Sequence, residues 1–255
     1  MENFTKFIKF KKGNIPLILS VPHGGILECS EIPNRLDGIL GIDKNTIELT
    51  QNLIRNFENL SVMYFSTQRT PSYILSKVRR SKIDLNRTET EAYLPSSLLA
   101  KKIYQFYHGK IRELIDYNLY EYNYSILLDI HGFEKSKRPS GFRDVEIVLG
   151  TKNLATFYRE PVSIKYRDKN LRGEIIKNFI NLNIPIAPGH PRRREYILTG
   201  GYITQKYGIS EIPGSQTMQI EFSDKIRIYD KHLRNLILKS LADVLLKHIS
   251  GIHQT

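Results

Sequence analysis

The chain has 255 residues, of which 40% are hydrophobic and 25% charged, a globular composition that excludes disordered and fibrous proteins. Its single cysteine, Cys29, excludes an intramolecular disulfide and a thiolate metal cluster, and no apolar run is long enough to predict a membrane span. A net charge of +12 favours anionic ligands. The N-terminal residues lack the apolar core of a secretory signal, so we expect a cytoplasmic protein, with one domain over residues 1–255.

Short apolar runs alternate along the chain with longer amphipathic segments. The runs predict β-strands over residues 15–21, 61–66, 125–130, 145–149, 183–186 (an edge strand) and 217–221. The amphipathic segments predict helices over residues 43–59, 95–120, 169–182 and 230–249. Asp43 is the expected N-cap of the first helix, and Gly109 is a point where the second can break. This alternation predicts an α/β fold, a three-layer α/β/α sandwich with a mixed, largely parallel sheet.

Three titratable residues lie at or just beyond the ends of predicted strands. His23 follows the first strand in a Pro-His-Gly-Gly turn, His131 precedes Gly132 at the end of a central strand, and Glu221 ends the last strand. Ligand sites of such sheets lie at the carboxyl ends of the strands. We therefore expect these three side chains to share one site.

Two strand-end histidines followed by glycine favour a zinc site, because imidazole nitrogen is a common zinc ligand and glycine permits close approach. Asp129 shares a strand face with His131 and is placed to fix its tautomer. A catalytic zinc ion with two histidines commonly takes a carboxylate as its third protein ligand. The acidic candidates that follow the first histidine are Glu28, Asp43 and Glu48. The spacing alone does not choose among them.

Glu221 is a candidate general base, because an acid at the end of an apolar strand is costly to bury unless it is paired or functional. In a zinc hydrolase such a carboxylate takes a proton from water and hands it to the leaving amine. Arg87, with Asn86 beside it, can hold a substrate carboxylate through two parallel hydrogen bonds. Arg80 and Arg143 are further candidates for substrate binding.

Taken in chain order, these motifs resemble those of the N-formylglutamate amidohydrolase family. They are SVPHGG at 20–25, Asp43 followed by Thr46 and Leu49, Arg80, DLNR at 84–87, LDIHG at 128–132, DVEIVLGT at 144–151, GGYIT at 200–204 and QIE at 219–221. The resemblance covers residues 15–230. Two departures stand out. Ile26 replaces the glutamate of the carboxypeptidase His-x-x-Glu pattern, and Gly132 stands where family members commonly have serine.

The resemblance implies a phosphorylase/hydrolase-like α/β/α fold of the zinc carboxypeptidase and aspartoacylase type, with one zinc ion. It places His23, Asp43 and His131 at the positions of the metal ligands and Glu221 at that of the general base. The remaining match, an Asp-x-Asn-Arg element, implies that Asn86 and Arg87 grip the substrate carboxylate. Asp43 is thereby the preferred third ligand.

We predict a zinc-dependent amidohydrolase that uses metal-activated water to cleave a linear amide of an N-acyl acidic amino acid, such as N-formylglutamate, or of a short peptide. One alternative is a related zinc peptidase or cell-wall amidase, which would share the metal site and not the pocket. The other is a non-enzymatic module that binds nucleic acid through the basic surface. Nucleic acid is the less favoured partner, because the basic residues are spread out and form no recognised binding motif.

Overall fold

A mixed β-sheet forms the centre of the computed structural model, which describes residues 4–138, 144–196 and 198–252. Its strands are β1 (Ile8–Lys11), β2 (Leu17–Val21), β3 (Ser72–Ser76), β4 (Ser125–Phe133), β5 (Ile147–Gly150), β6 (Ile186–Ala187) and β7 (Ser215–Ser223). Their spatial order is β1-β3-β2-β4-β7-β5-β6. The four central strands β3, β2, β4 and β7 are parallel, and β1 and β5 are antiparallel to their inner neighbours. The carboxyl ends of the central strands therefore lie at one edge.

Helices cover both faces of the sheet. They are α1 (Thr46–Phe65), α2 (Glu89–Ala92), α3 (Leu98–Tyr122), α4 (Leu171–Asn181), α5 (Tyr202–Lys206) and α6 (Lys231–Ile252), with a π-helical turn at Lys225–Tyr229. One hydrophobic core joins α1, α4 and α6 to one sheet face, and a second joins α3 to the other. This is the predicted three-layer α/β/α fold. None of the described helices combines the length and apolar character that a membrane crossing requires.

The alternation of side chains along β4 separates core residues from site residues. Leu128 and Ile130 pack into the core that contains α1 and α6. Asp129 and His131 point to the opposite face, where Ser20 links Asp129 to Tyr107 of α3. Because successive strand residues face opposite sides, the same strand supplies both the core and a polar row that ends at the sheet edge.

Two of the sequence-based element predictions are wrong. Residues 61–65 form the last part of α1, and Ser66 caps the helix in a left-handed conformation, with its N–H bonded to the carbonyl of Val62. The strand lies later, at Ser72–Ser76, beyond Pro71, and no strand was predicted there or at β1. The second error is the break near Gly109, because α3 runs unbroken through this glycine.

The start of α1 also differs from the prediction. The helix begins at Thr46 with Asn45 at the N-cap position, so Asp43 is not the cap. The edge strand β6 is shorter than predicted and spans Ile186–Ala187. Asp43 is thereby left with its carboxylate available for contacts at the sheet edge.

Candidate metal centre

Three buried side chains converge at the carboxyl ends of β2 and β4. His23 lies two residues beyond β2, His131 lies within β4, and Asp43 is supplied by the loop before α1. Together they form a group whose ligand atoms can hold a metal ion. The predicted convergence of the two histidines is thus found in the structure.

The facing atoms of this group are Nδ1 of His23, Nδ1 of His131 and one carboxylate oxygen, Oδ2, of Asp43. The two Nδ1 atoms are 3.1 Å apart, and Oδ2 lies 3.2 Å from Nδ1 of His131 and 3.6 Å from Nδ1 of His23. Tetrahedral zinc with bonds of about 2.0–2.1 Å separates its ligand atoms by about 3.3–3.4 Å. The observed separations of 3.1–3.6 Å lie on either side of this value.

Each imidazole has a buried carboxylate behind it. Nε2 of His23 donates to Oδ1 of Asp84 at 2.6 Å, and Nε2 of His131 donates to Oδ2 of Asp129 at 2.8 Å. When a metal ion is bound, these bonds keep the ring protons on Nε2, so that Nδ1 of both rings can offer a lone pair. A carboxylate behind a ligating histidine is the usual second layer of a zinc site, and it orients the ring and raises its basicity.

The electrostatics of the group favour a cation at its centre. Burial opposes the charged form of His131, but Asp129 and Asp43 outweigh it and raise the pKa of His131 well above its usual range. Burial likewise opposes ionisation of Asp43, yet the hydrogen bonds to His131 and His23 lower its pKa. The buried carboxylates are stabilised by a positive charge between them. The available ligand atoms are two imidazole nitrogens and one carboxylate oxygen, so the residues present fit zinc.

The backbone holds Asp43 against the two histidines. Its N–H donates to the carbonyl of His23 at 3.0 Å, and its Oδ2 accepts the N–H of Gly132 at 3.1 Å. A Cβ on Gly24 would meet Oγ1 of Thr46 at 2.5 Å. The glycine after His23 is therefore required for the loop to pass this close to α1.

Glu221 lies beside the group because β4 and β7 pair in parallel with His131 opposite Glu221. Nε2 of Gln219, two residues earlier on the same face, donates to Oε1 of Glu221 at 2.8 Å. Burial raises the pKa of Glu221 above its ordinary value. A carboxyl group with a raised pKa is suited to accept and return a proton near neutral pH.

A cleft of about 520 Å³ opens onto the histidines, Asp43 and Glu221. Arg80 and Arg87 line it, and the side chain of Arg87 is 46% exposed. Nε of Arg80 donates to Oδ2 of Asp84 at 3.0 Å, so this guanidinium is held in place.

Asn86 also lines the cleft, and its amide lies between α5 and the ring of His131. Its Oδ1 accepts the N–H of Ile203 at 2.8 Å, and its Nδ2 lies 3.3 Å from Nε2 of His131. The fourth predicted substrate-binding residue, Arg143, lies outside the described residues.

The two alternative third ligands do not reach the site. Glu28 is largely exposed and forms an ion pair with Arg79. Glu48 is 57% exposed and pairs with Arg234 of α6. Asp43 is the acidic residue, among these three, that contacts the histidines.

Asp84 has a structural role at the site that the sequence analysis missed. It is fully buried, and its carboxylate accepts from Nε2 of His23, the N–H of Asn86 and Nε of Arg80. Burial opposes its ionisation, but His23 and Arg80 lower its pKa. Asp84 begins the Asp-Leu-Asn-Arg element, of which only Asn86 and Arg87 were predicted to have a role.

The same architecture is found in solved structures. The chain is similar to N-formylglutamate amidohydrolase from Ralstonia eutropha JMP134, with a TM-score of 0.66 over 97% of this chain and 98% of that one. This chain has the N-formylglutamate amidohydrolase fold. The sequences of the two are 13% identical, so the similarity establishes the fold alone. A gene product of Agrobacterium tumefaciens is also similar, with a TM-score of 0.56 and 13% identity over 97% of this chain and 95% of that one. Neither a protein-family model nor a curated protein matches the sequence.

Proposed function

We propose that this chain is a zinc-dependent amidohydrolase that cleaves a linear amide of an N-acyl acidic amino acid or of a short peptide. The observation that carries the proposal is the convergence of Nδ1 of His23, Nδ1 of His131 and Oδ2 of Asp43, with a buried carboxylate behind each ring. Glu221 stands beside this group at the wall of a cleft.

His23, Asp43 and His131 would hold the zinc ion. When bound, zinc supplies a Lewis acid and a water of lowered pKa. Asp84 and Asp129 keep the two rings in the tautomer that directs Nδ1 inward, so that the ligand atoms need no rearrangement on binding.

Glu221 moves the proton. Its carboxylate takes a proton from the attacking water and returns it to the leaving nitrogen, which departs as an amine. Gln219 orients the carboxylate of Glu221 through its hydrogen bond to Oε1. The raised pKa of Glu221 makes it a stronger base than an exposed glutamate.

The arginines of the cleft orient the substrate. Arg87 presents a half-exposed guanidinium, and Arg80 is held rigidly by Asp84 with its side chain on the cleft. A guanidinium binds a carboxylate with two parallel hydrogen bonds, so the proposed substrate carries a carboxylate close to the scissile amide. Asn86 and Arg143 are proposed to assist.

The test combines metal content with hydrolysis. Zinc per chain is measured by mass spectrometry for the wild type, His23→Ala and the control His232→Ala, which removes an exposed histidine of α6. The same samples are incubated with N-formyl- and N-acetylglutamate, a glutamyl dipeptide and a neutral N-acyl amino acid amide. We expect about one zinc per chain and hydrolysis of an anionic member in the wild type and the control, with both lost in His23→Ala.

Other outcomes would select an alternative. Zinc binding with cleavage of cell-wall peptides alone would favour a peptidase or cell-wall amidase. Failure of the wild type to bind supplied zinc would overturn the hydrolase proposal, and salt-sensitive binding of nucleic acid that survives His23→Ala would then favour the nucleic-acid-binding module.

A further inference from the structure

A buried arginine lies beneath the candidate metal centre. Arg227 belongs to the π-helical turn after β7, is 1% exposed, and reaches the wall of the cleft. Its guanidinium donates to three backbone carbonyls. Nε bonds Phe222 O at 3.0 Å, Nη2 bonds Phe133 O at 2.9 Å, and Nη1 bonds Lys44 O.

Each of these carbonyls stands next to a residue of the site. Phe222 follows Glu221, Lys44 follows Asp43, and Phe133 lies two residues beyond His131 on β4. Three segments that are distant in sequence are therefore held by one rigid side chain. The planar fork of a guanidinium can direct donors to several acceptors at once, which an ammonium group does with less geometric control.

Gly132 makes room for this guanidinium. A Cβ at position 132 would meet Nε of Arg227 at 2.2 Å and Cζ at 2.4 Å. The N–H of the same glycine donates to Oδ2 of Asp43. The absence of a side chain at this position thus lets Arg227 pack against the strand that carries His131, while the backbone remains bonded to the third ligand.

The charge of Arg227 also suits the position. Burial lowers its pKa, while the nearby Asp43, Asp224, Glu221 and Glu134 act in the opposite direction. Nε, Nη1 and Nη2 each donate one hydrogen bond to a carbonyl group, so the side chain braces the backbone of these three segments.

We propose that Arg227 is a positioning residue that holds the segments bearing Asp43, His131 and Glu221 at the spacing zinc requires, and that Gly132 is the residue that admits it. The inference rests on the proposed zinc site. It predicts that Arg227 sets zinc affinity without touching the ion or the substrate.

The experiment compares Arg227→Lys with Arg172→Lys. Arg172 of α4 is an equally buried arginine, is bonded to the carbonyls of Pro191 and Arg193, and does not line the cleft. Zinc affinity is measured by competition with a chromogenic chelator, and the absorption spectrum of the cobalt-loaded protein reports ligand geometry. Urea unfolding of the chelator-treated protein measures the stability of the metal-free fold.

We expect Arg227→Lys to weaken zinc binding by about 10- to 100-fold, the usual effect of losing an outer support of a metal site, and to alter the cobalt spectrum. Arg172→Lys should lower the urea midpoint and leave both metal readouts unchanged. In Arg227→Ala, millimolar ethylguanidinium should restore part of the zinc affinity.

Three results separate the explanations. Zinc affinity of Arg227→Lys within twofold of the wild type would overturn the positioning role. An equal loss in Arg172→Lys would assign the effect to general destabilisation and would overturn it as well. Failure of the wild type itself to bind zinc would instead refute the proposed function, and the inference with it.

Discussion

Asp129→Asn tests whether the carboxylate behind His131 tunes the metal site. The fully buried Asp129 accepts from Nε2 of His131 through Oδ2 and from Oγ of Ser20 through Oδ1. Asparagine has the same shape and keeps one acceptor oxygen. If the amide oxygen faces His131, the NH₂ group of the asparagine faces Ser20. The Ser20 hydroxyl can then accept from this NH₂ group and turn its own hydrogen toward Tyr107, whose hydroxyl lies 2.9 Å away. The fold should therefore tolerate the change, while the negative charge behind the ring is lost.

The expected magnitude follows from this exchange. A hydrogen bond to a charged group contributes about 1.5–3 kcal/mol and a neutral one about 0.5–1.5 kcal/mol. The difference of about 1–1.5 kcal/mol corresponds to zinc binding weakened about tenfold. The free energy of unfolding of the metal-free protein should fall by about 1–3 kcal/mol, because the amide adds donors to the buried Asp129 network and leaves one of them without an acceptor.

Asp84→Asn is the comparison. Asp84 accepts from His23, Asn86 and Arg80, and an amide there must turn its NH₂ toward one of these donors. Breaking a buried charge pair costs about 3–5 kcal/mol, so this variant should lose fold stability as well as zinc. Zinc affinity is measured by chelator competition at neutral pH and stability by urea unfolding. An Asp129→Asn protein that binds zinc within twofold of the wild type would refute the reasoning.

The other predictions concern the proton, the substrate and acid stability. Glu221→Gln should keep its zinc and lose about 10²- to 10⁴-fold in kcat, and unchanged turnover would exclude Glu221 as the base. Arg87→Lys should raise KM for an anionic substrate about tenfold with little change in kcat, and an equal effect on a neutral amide would contradict a carboxylate-binding role. Burial lowers the pKa of His108 to about 3. As the pH falls, His108 therefore becomes protonated in the unfolded chain before it does so in the folded one. The free energy of unfolding then decreases by up to about 1.4 kcal/mol per pH unit below about pH 6.5. His108→Gln should make the urea midpoint depend less steeply on pH between about pH 6.5 and 4. An unchanged slope of the midpoint against pH would refute this assignment.

Much of the fold could be predicted because β2, β4 and β7 contain apolar runs and the long helices are amphipathic. The failure at residues 61–66 has a physical cause. This segment is rich in β-forming residues, but it continues α1 with Ser61 buried and Met63 exposed, and no glycine or proline ends the helix before it. Tertiary packing outweighs local β propensity there. The order of strands and the pairing of β1 with β3 depend on contacts between distant segments that a local pattern does not encode.

The candidate site also has some residues that could be predicted from local sequence and others that could not. His23, His131 and Glu221 could be placed together because strand ends meet at one sheet edge. Asp43 needed the family resemblance, since nothing local distinguishes it from Glu28 or Glu48. Asp84 contacts a histidine 61 residues away. The Asp-Leu-Asn-Arg element marks the segment that contains Asp84, but the contact of Asp84 with His23 exists only in the folded chain.

The register of β4 against β7 makes the strand pairing itself part of the proposed catalytic site. The two strands pair from Ser125 with Ser215 to Phe133 with Ser223, and this alignment seats His131 beside Glu221. Because side chains alternate, a slip of one residue in β7 would turn Glu221 into the apolar layer beneath α1 and α6 and bring Phe222 to the metal. The proposed proton acceptor and the proposed metal ligand are thus aligned by the same backbone hydrogen bonds that hold the sheet together. Core substitutions that shift this ladder, far from the cleft, should be visible as lost turnover before they are visible as lost structure.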